Sequence, residues 1–369
     1  MVDFKNLVKN FKVKGEFVSC EPYGEGHINT TYLLLTDDNG TEGKYILQKI
    51  NSNLFKDVDK LMSNISLVTE FARKKIVENG GDPDRETLTI IKTIDGKPYY
   101  FNAEDGGYYR IYLFITDAVA YQIVKSKQDF YQTAVAFGGF ANLLAQFDAS
   151  KLYEILPKFH DTRKRLNDFK NSLRADVKGR AKTVKEEIEF VLSREDYAGK
   201  IVSLLESGKM PLKVTHNDTK LNNVLFDGKT GKCLAVIDLD TIMPGSICYD
   251  FGDSIRFGCN PCAEDEKDLS KVVFSLELFE AYTEGYLSTL GESATEIEKE
   301  NLVWGAILMT YECGMRFLAD YLDGDVYFHT NREGQNLDRA RTQFKLVSDM
   351  EKNISVMQEI VRKASESVG

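Results

Sequence analysis

The chain has 369 residues, 43% of them hydrophobic, and a formal net charge of −10. That length and apolar content suit two domains or lobes with sizeable cores, and the acidic balance excludes nonspecific binding to nucleic acid or to an anionic membrane surface. The N-terminus MVDFKNLVKNF has no apolar signal stretch, and no run approaches the roughly 18 apolar residues of a membrane span, so the expected compartment is the cytoplasm.

From Phe17 to about Ile115 the pattern reads mostly as strands. EFVSCEPY leads into GEGHINTTYLLLT, then KYILQKI, TLTIIKTI and YYRIYLFI. Asn39-Gly40 and Asp95-Gly96 are hairpin signals, because both residues of such a turn adopt positive φ cheaply. One helix interrupts. Val58, Leu61, Met62, Ile65, Val68, Ala72 and Ile76 recur at helical spacing, Asp57 can cap the start, and Asn79-Gly80-Gly81 stops it.

After about Ala118 the pattern becomes helical, as in FYQTAVAFGGFANLLAQF. The division expected from sequence is therefore residues 1–117, a lobe of mixed antiparallel sheet plus helix, and residues 118–369, a helical lobe. The overall class is α+β. The second lobe holds one strand-like island, VTHNDTKLNNVLFD followed by GKTGK and CLAVIDLD. It reads as a hairpin pairing Asn223–Phe226 with Cys233–Asp238, which brings Asn223 towards Asp238, with Asp218 a few positions upstream.

Asp-x-x-x-x-Asn followed by a strand-terminal Asp is the arrangement of kinase-type phosphoryl transfer. There the first Asp accepts the substrate hydroxyl proton, and the Asn and later Asp hold Mg²⁺ against the nucleotide phosphates. The residue types suit the chemistry, since Mg²⁺ is hard and takes oxygen ligands and the base must be an acceptor beside the attacking hydroxyl. Asp218 is the candidate base, and Asn223 and Asp238 are the candidate metal ligands. The spacing alone is weak, but the hairpin, the second Asp and His216 two residues ahead of Asp218 strengthen it. The plainer alternative is a polar turn capped by Asp218. Asp250-Phe251-Gly252 spells the metal motif of protein kinases but follows no hairpin strand, so Asp250 and Asp253 read as carboxylates that brace the loop or cap a helix. Alternation along VIDLD puts Asp240 on the face of Asp238, either as a second metal contact or as a support. Of the six cysteines, only Cys259 and Cys262 form a C-x-x-C, with no second pair at zinc spacing, so all are expected as reduced thiols.

The His-Asn-Asp-Thr-Lys-x-Asn-Asn loop, the Ile-Asp-Leu-Asp-Thr strand end and YGEGHIN resemble the aminoglycoside phosphotransferase-like kinase superfamily. Within it the chain is most similar to the N-acetylhexosamine 1-kinases, nearly end to end, through ILQKIN, DPDRETLT and FHDT. The resemblance implies a bilobal protein-kinase-like fold and phosphorylation of the anomeric hydroxyl of N-acetylglucosamine or N-acetylgalactosamine with ATP and Mg²⁺. It also implies Asp218 as base, a sugar pocket at Phe257, Arg316 and Tyr327, and His27 on the substrate side of the first lobe. Each has a plainer reading. Arg316 lies four residues from both Glu312 and Asp320 on a predicted helix, the spacing of an exposed salt-bridge ladder, and sequence alone favours that ladder. Phe257 is more often core, whereas Tyr327 falls in a loop.

On the nucleotide side, Gly24 and Gly26 precede a strand without a third glycine, as in a phosphate-covering loop. In YILQKI the residue at the kinase lysine position is Gln48 or Lys49. They face opposite sides of the strand; family motifs favour Gln48, and charge favours Lys49 slightly. Glu70 is the candidate partner on the helix. The adenine is expected at LFITD, at the backbone of Phe114 and Ile115. The expected function is thus an ATP-dependent sugar 1-kinase, a monomer or small homo-oligomer binding sugar and ATP and no nucleic acid or membrane. Its rivals are another small-molecule kinase of the same fold, acting on an amino alcohol, an aminoglycoside or another sugar, and an inactive nucleotide-binding pseudokinase, against which intact Asp218, Asn223 and Asp238 argue.

Overall fold

Over residues 2–24, 28–121 and 126–367, which the computed structural model describes, sheet gives way to helix along the chain. It runs through α1 (Phe4–Val8), β1 (Glu16–Pro22), β2 (Thr30–Asp38), β3 (Thr41–Ile50), α2 (Val58–Glu78), α3 (Pro83–Glu86), β4 (Ile90–Ile91), β5 (Tyr100–Asn102), β6 (Gly107–Leu113) and β7 (Ala118–Ala120). Helices α4 (Lys127–Leu143), α5 (Thr162–Ala175), α6 (Lys185–Leu192) and α7 (Lys200–Glu206) follow, then β8 (Lys213–Thr215), β9 (Val224–Asp227), β10 (Cys233–Val236) and β11 (Met243–Gly245). Next come α8 (Ile247–Gly258), α9 (Leu276–Leu290), α10 (Glu296–Asp323), α11 (Gln335–Lys352) and α12 (Ile354–Glu366). This is the α+β class expected from sequence, a sheet-rich N-terminal region and a helical C-terminal one.

One of two compact units comprises residues 1–120, 151–156 and 225–243. Its main sheet is antiparallel, in the order β1-β2-β3-β6-β4, with β5 also on β6. Asn39 and Gly40, at φ 51° and 86°, make the tight turn from β2 to β3. The second expected hairpin does not form as one. Asp95-Gly96 makes a turn closed by the Thr93 N–H and the Lys97 carbonyl (2.8 Å), but β4 and β5 on either side both pair with β6. At two and three residues they offer each other too little, whereas the seven-residue β6 has room for both.

Alternation decides what each face of this sheet carries. Tyr45 and Leu47 of β3 join Leu34, Tyr109 and Ile111 against Leu7, Val8 and Phe11, in and after α1. The opposite face carries Gln48 and its register partner Arg110, whose guanidinium reaches the sulfur of Met62 in α2. Helix α2 buries Leu61, Met62, Ile65, Val68 and Ala72 on one stripe, and Asp57 caps it by accepting the Lys60 N–H at 3.0 Å. A small second sheet runs β10-β9-β7. Its hairpin departs from the expected one: β9 starts one residue later, at Val224, and β10 ends two residues earlier, at Val236. Asn223 ends a 3-10 turn, and Asp238 lies beyond β10 at φ 60°, opening another turn at Leu239–Thr241. Strand alternation therefore stops before Asp240, and the two carboxylates part company: Asp238 is exposed and Asp240 buried.

The second unit, residues 121–150, 157–224 and 244–369, is mainly helical. Helix α4 packs on α9, and α10 on α8, α11 and α5. The tripeptide Asp250-Phe251-Gly252 sits inside α8 with Phe251 fully buried. A Cβ added at Gly252 would stand 2.2 Å from the Gly305 carbonyl oxygen of α10, and one added at Gly305 would stand 2.2 Å from that of Cys248. Backbone lies against backbone there, so no rotamer change relieves a substitution. Gly252→Ala is expected to cost about 1–3 kcal/mol as overpacking, read as a lower melting temperature; a variant melting with the wild type would show that this crossing adjusts. All six cysteines are free thiols. No helix among the described residues is long and apolar enough to cross a membrane.

Candidate active site

The loop after β8 is anchored by two carboxylates of α8. Asp250 accepts the His216 and Asn217 N–H groups, each at 2.7 Å, and Asp253 accepts the Thr219 N–H at 3.2 Å. The Thr219 hydroxyl donates to the Asp250 carbonyl at 2.7 Å, and Ser254 donates to the Thr219 carbonyl at 2.9 Å. Burial raises the Asp250 pKa against the pull of His216 and the two amide bonds. Asp253 is buried too, yet its pKa is lowered, because the Arg256 and Lys220 charges outweigh desolvation. His216 is fully buried, edge-on to Phe137 and Phe140 at 5.6 and 6.1 Å, and its Nδ1 accepts the Asp218 N–H at 3.3 Å. With Asn217 left-handed at φ 65°, the loop reverses and presents Asp218.

The Asp218 carboxylate keeps polar company of both kinds. Asn223 Nδ2 donates to its Oδ2 at 3.1 Å and to its backbone carbonyl at 2.8 Å, and Lys220 Nζ lies 2.6 Å from Oδ1. Because the Asn223 amide N–H turns to Asp218, its Oδ1 is the atom left for another ligand. Burial pulls the Lys220 pKa down, but Asp218 more than offsets it, so the net shift is upward and the ammonium persists at neutral pH. A proton acceptor beside a fixed cation is what transfer of an anionic phosphoryl group to a hydroxyl calls for.

In the same unit, the salt-bridge ladder expected around Arg316 does not form. Glu312 instead lies 3.1 Å from His160 Nδ1 and accepts the Thr162 hydroxyl at 2.9 Å. Asp320 accepts the N–H groups of Val326, Tyr327 and Phe328 at 2.9, 2.8 and 2.9 Å. Both carboxylates are buried, and a buried acceptor is satisfied by fixed donors around it. The Arg316 guanidinium stands 5.8, 5.9 and 5.4 Å from the rings of Phe159, Tyr327 and Phe328 and makes no hydrogen bond or ion pair among the described residues. The structure thus brings Arg316 and Tyr327 together. Phe257, 43% exposed at the end of α8, lines a groove with Asn260, Pro261 and Glu264 whose lining includes neither of them. Phe159 and Phe328 were not anticipated, though the FHDT and GDVYFHT stretches contain them.

The first unit holds the remaining candidates. Lys49 faces away from α2, with its ammonium 2.7 Å from Asp105 and 5.7 Å from the Tyr109 ring centre. Gln48 faces α2; its Oε1 accepts Arg110 Nε and Nη2 at 2.9 and 2.8 Å, and its amide donates to Thr31 at 3.0 Å. Glu70 meets neither and pairs at the surface with Lys92 at 3.2 Å. Arg110, 1% exposed, pairs with Asp240 at 2.6 Å. Sequence reasoning passed over it, although an arginine inside the apolar strand YYRIYLFI was the signal. The Phe114 N–H is taken by the Lys44 carbonyl at 3.1 Å; its carbonyl and the backbone of Ile115 make no backbone hydrogen bond among the described residues. Gly24 is left-handed at φ 74°; Gly26 and His27 lie outside the described residues.

Among the described residues, no three His, Cys, Asp or Glu side chains cluster as a metal site. Mg²⁺ in nucleotide sites keeps waters and phosphate oxygens and takes only one or two protein oxygens. Asn223 Oδ1 and the exposed Asp238 carboxylate are each a donor of that chemistry.

A model of the phosphotransferase enzyme family matches residues 19–268. An uncharacterized kinase-like protein of Caenorhabditis elegans is 33% identical over 92 residues, 25% of this chain, and the match spans 22% of that protein's length. Three solved structures have similar folds over nearly the whole chain. An aminoglycoside phosphotransferase from Alicyclobacillus acidocaldarius gives TM-score 0.57 at 12% identity, covering 96% of this chain and 95% of that one. A microcompartment-associated aminopropanol kinase gives 0.55 at 14%, covering 96% and 98%. A choline kinase from Cryptosporidium parvum gives 0.54 at 16%, covering 97% and 96%. At such identities the likeness is one of fold.

Proposed function

The chain belongs to the phosphotransferase enzyme family, and we propose that within it this protein transfers the γ-phosphoryl group of ATP to the anomeric hydroxyl of an N-acetylhexosamine, GlcNAc or GalNAc. Asp218 accepts the hydroxyl proton. Lys220, held beside it, balances negative charge as the phosphoryl group arrives. Asn223 and Asp238 would hold Mg²⁺, which when bound neutralises phosphate charge and orients the transferred group. The free backbone groups of Phe114 and Ile115 suit the adenine, and Gly24 suits a loop lying close over phosphates.

The observation that carries the acceptor assignment is Arg316, a guanidinium with unspent donors among three aromatic rings. A neutral amino sugar offers hydroxyl and acetamide oxygens to those donors and C–H faces to the rings. A cationic acceptor, such as an amino alcohol or an aminoglycoside, would meet a like charge. Phe257 and His27 remain candidates on the strength of the family resemblance.

The test is an ATP-consumption screen over N-acetylhexosamines, hexoses, choline, ethanolamine and aminoglycosides. Turnover is expected with the N-acetylhexosamines, and Arg316→Ala is expected to raise the acceptor KM while leaving that for ATP unchanged. Preference for a cationic amine, or an Arg316→Ala acceptor KM equal to wild type, would overturn the assignment.

A further inference from the structure

The four groups around Asp240 form a closed arrangement within the first unit. Asp240 Oδ1 lies 2.6 Å from Arg110 Nη1, and Oδ2 accepts Asn29 Nδ2 at 2.5 Å. Asn29 Oδ1 in turn accepts the Asn51 N–H at 2.9 Å, just past β3. Arg110 is gripped from β3 by Gln48, whose carbonyl takes two of its N–H groups. Both oxygens of Asp240 are therefore committed inside the protein, which leaves Asp238, two residues earlier and exposed, as the carboxylate of this turn that faces outward. Arg110 feels both: its pKa is raised by Asp240 and, more weakly, by Asp238, against the cost of burial.

Burying a guanidinium is expensive, and a buried ion pair is no better for stability than apolar side chains of the same volume. Its retention in a sheet otherwise packed with tyrosine and leucine calls for another reason. On β3 Lys49 is on the opposite face with Asp105, and Lys44, which shares the parity of Gln48, pairs with Glu42 at 2.8 Å at the exposed start of the strand. The register partner of Gln48 on the neighbouring strand supplies the buried cation instead.

We propose that Arg110, gripped by Gln48, is the positioning residue of the nucleotide end. Through Asp240 it locks the Asp238–Asp240 turn and cancels the Asp240 charge, so that one carboxylate, Asp238, meets the metal-bound phosphates. The proposal rests on the kinase reading above. It makes Gln48 a holder of the cation rather than a phosphate contact, and it gives Lys49 no part.

The test is calorimetric titration of ATP into the full chain with and without Mg²⁺, beside thermal melting. Wild type that binds no ATP would refute the kinase reading itself, before any variant is made. Arg110→Met alone strands a buried carboxylate and risks unfolding, so the informative variant is Arg110→Met with Asp240→Asn, which removes both charges together. We expect this double variant to melt near wild type, to bind ATP in Mg²⁺ at least about tenfold more weakly, a loss of about 1.4 kcal/mol, and to need more Mg²⁺ for the same occupancy. Arg110→Lys, which keeps the charge, should retain most of the affinity. Lys49→Met should bind as wild type does. Wild-type Mg²⁺-dependent binding by the double variant overturns the proposal, and so does an equal loss in Arg110→Lys or in Lys49→Met. If the double variant does not fold, Arg110→Met with Gln48→Lys moves the cation to the register partner. Recovery of Mg²⁺-dependent binding there supports the proposal, and its absence in folded protein overturns it.

Discussion

Asp218→Asn is expected to lower kcat by about 10²–10⁴-fold, the usual contribution of a positioned general base, while ATP affinity stays nearly unchanged. The substitution is isosteric. Asn217, Thr219 and the α8 carboxylates hold the loop through backbone groups, so the scaffold does not depend on the Asp218 charge. Two side-chain contacts do change. The Asn223 amide keeps its 2.8 Å bond to the backbone carbonyl, whereas Lys220 loses its 2.6 Å partner and turns towards Asp253, whose charge it already senses. A loss through misfolding would lower the melting temperature and weaken ATP binding together with kcat. A loss through removal of the base lowers kcat alone. Steady-state kinetics, with calorimetry for ATP, separates the two, and turnover near wild type would remove Asp218 from the chemistry.

What the sequence disclosed is what depends on near neighbours. The spacing of Asp218 and Asn223, the apolar stripe of α2 with its Asp57 cap, and the Asn39-Gly40 turn are each written within a few residues, and local geometry carries them into the structure. The errors came where a distant partner outbid a local one. Glu312 and Asp320 stand at ladder spacing from Arg316, but His160, Thr162 and the amides after α10 take them first. Asp95-Gly96 makes its turn, yet β6 claims the strands on both sides. Alternation along VIDLD failed because β10 ends at Val236, after which period 2 no longer applies. The choice between Gln48 and Lys49 was open in the sequence because both faces of β3 are flanked by apolar residues. What distinguishes the faces is Arg110, opposite Gln48 only once β3 and β6 pair.

Asp238→Asn is expected to raise the Mg²⁺ concentration for half-maximal activity by about tenfold or more, equivalent to about 1.4 kcal/mol of lost binding. The choice of asparagine follows from the backbone. Asp238 sits at φ 60°, a conformation Asp and Asn adopt readily and other L-residues only at a cost of roughly 1–2 kcal/mol. Asp238→Ala would therefore mix backbone strain with loss of the ligand, whereas Asp238→Asn keeps the turn and an oxygen donor and removes only the charge. Mg²⁺ is a hard cation and prefers the carboxylate, so the affected quantity is the metal requirement, and saturating Mg²⁺ should restore much of the rate. The melting temperature should stay near wild type for Asp238→Asn and fall for Asp238→Ala. An Asp238→Asn protein whose magnesium titration overlays that of wild type would show that this carboxylate does not hold the metal, whatever its place in the turn.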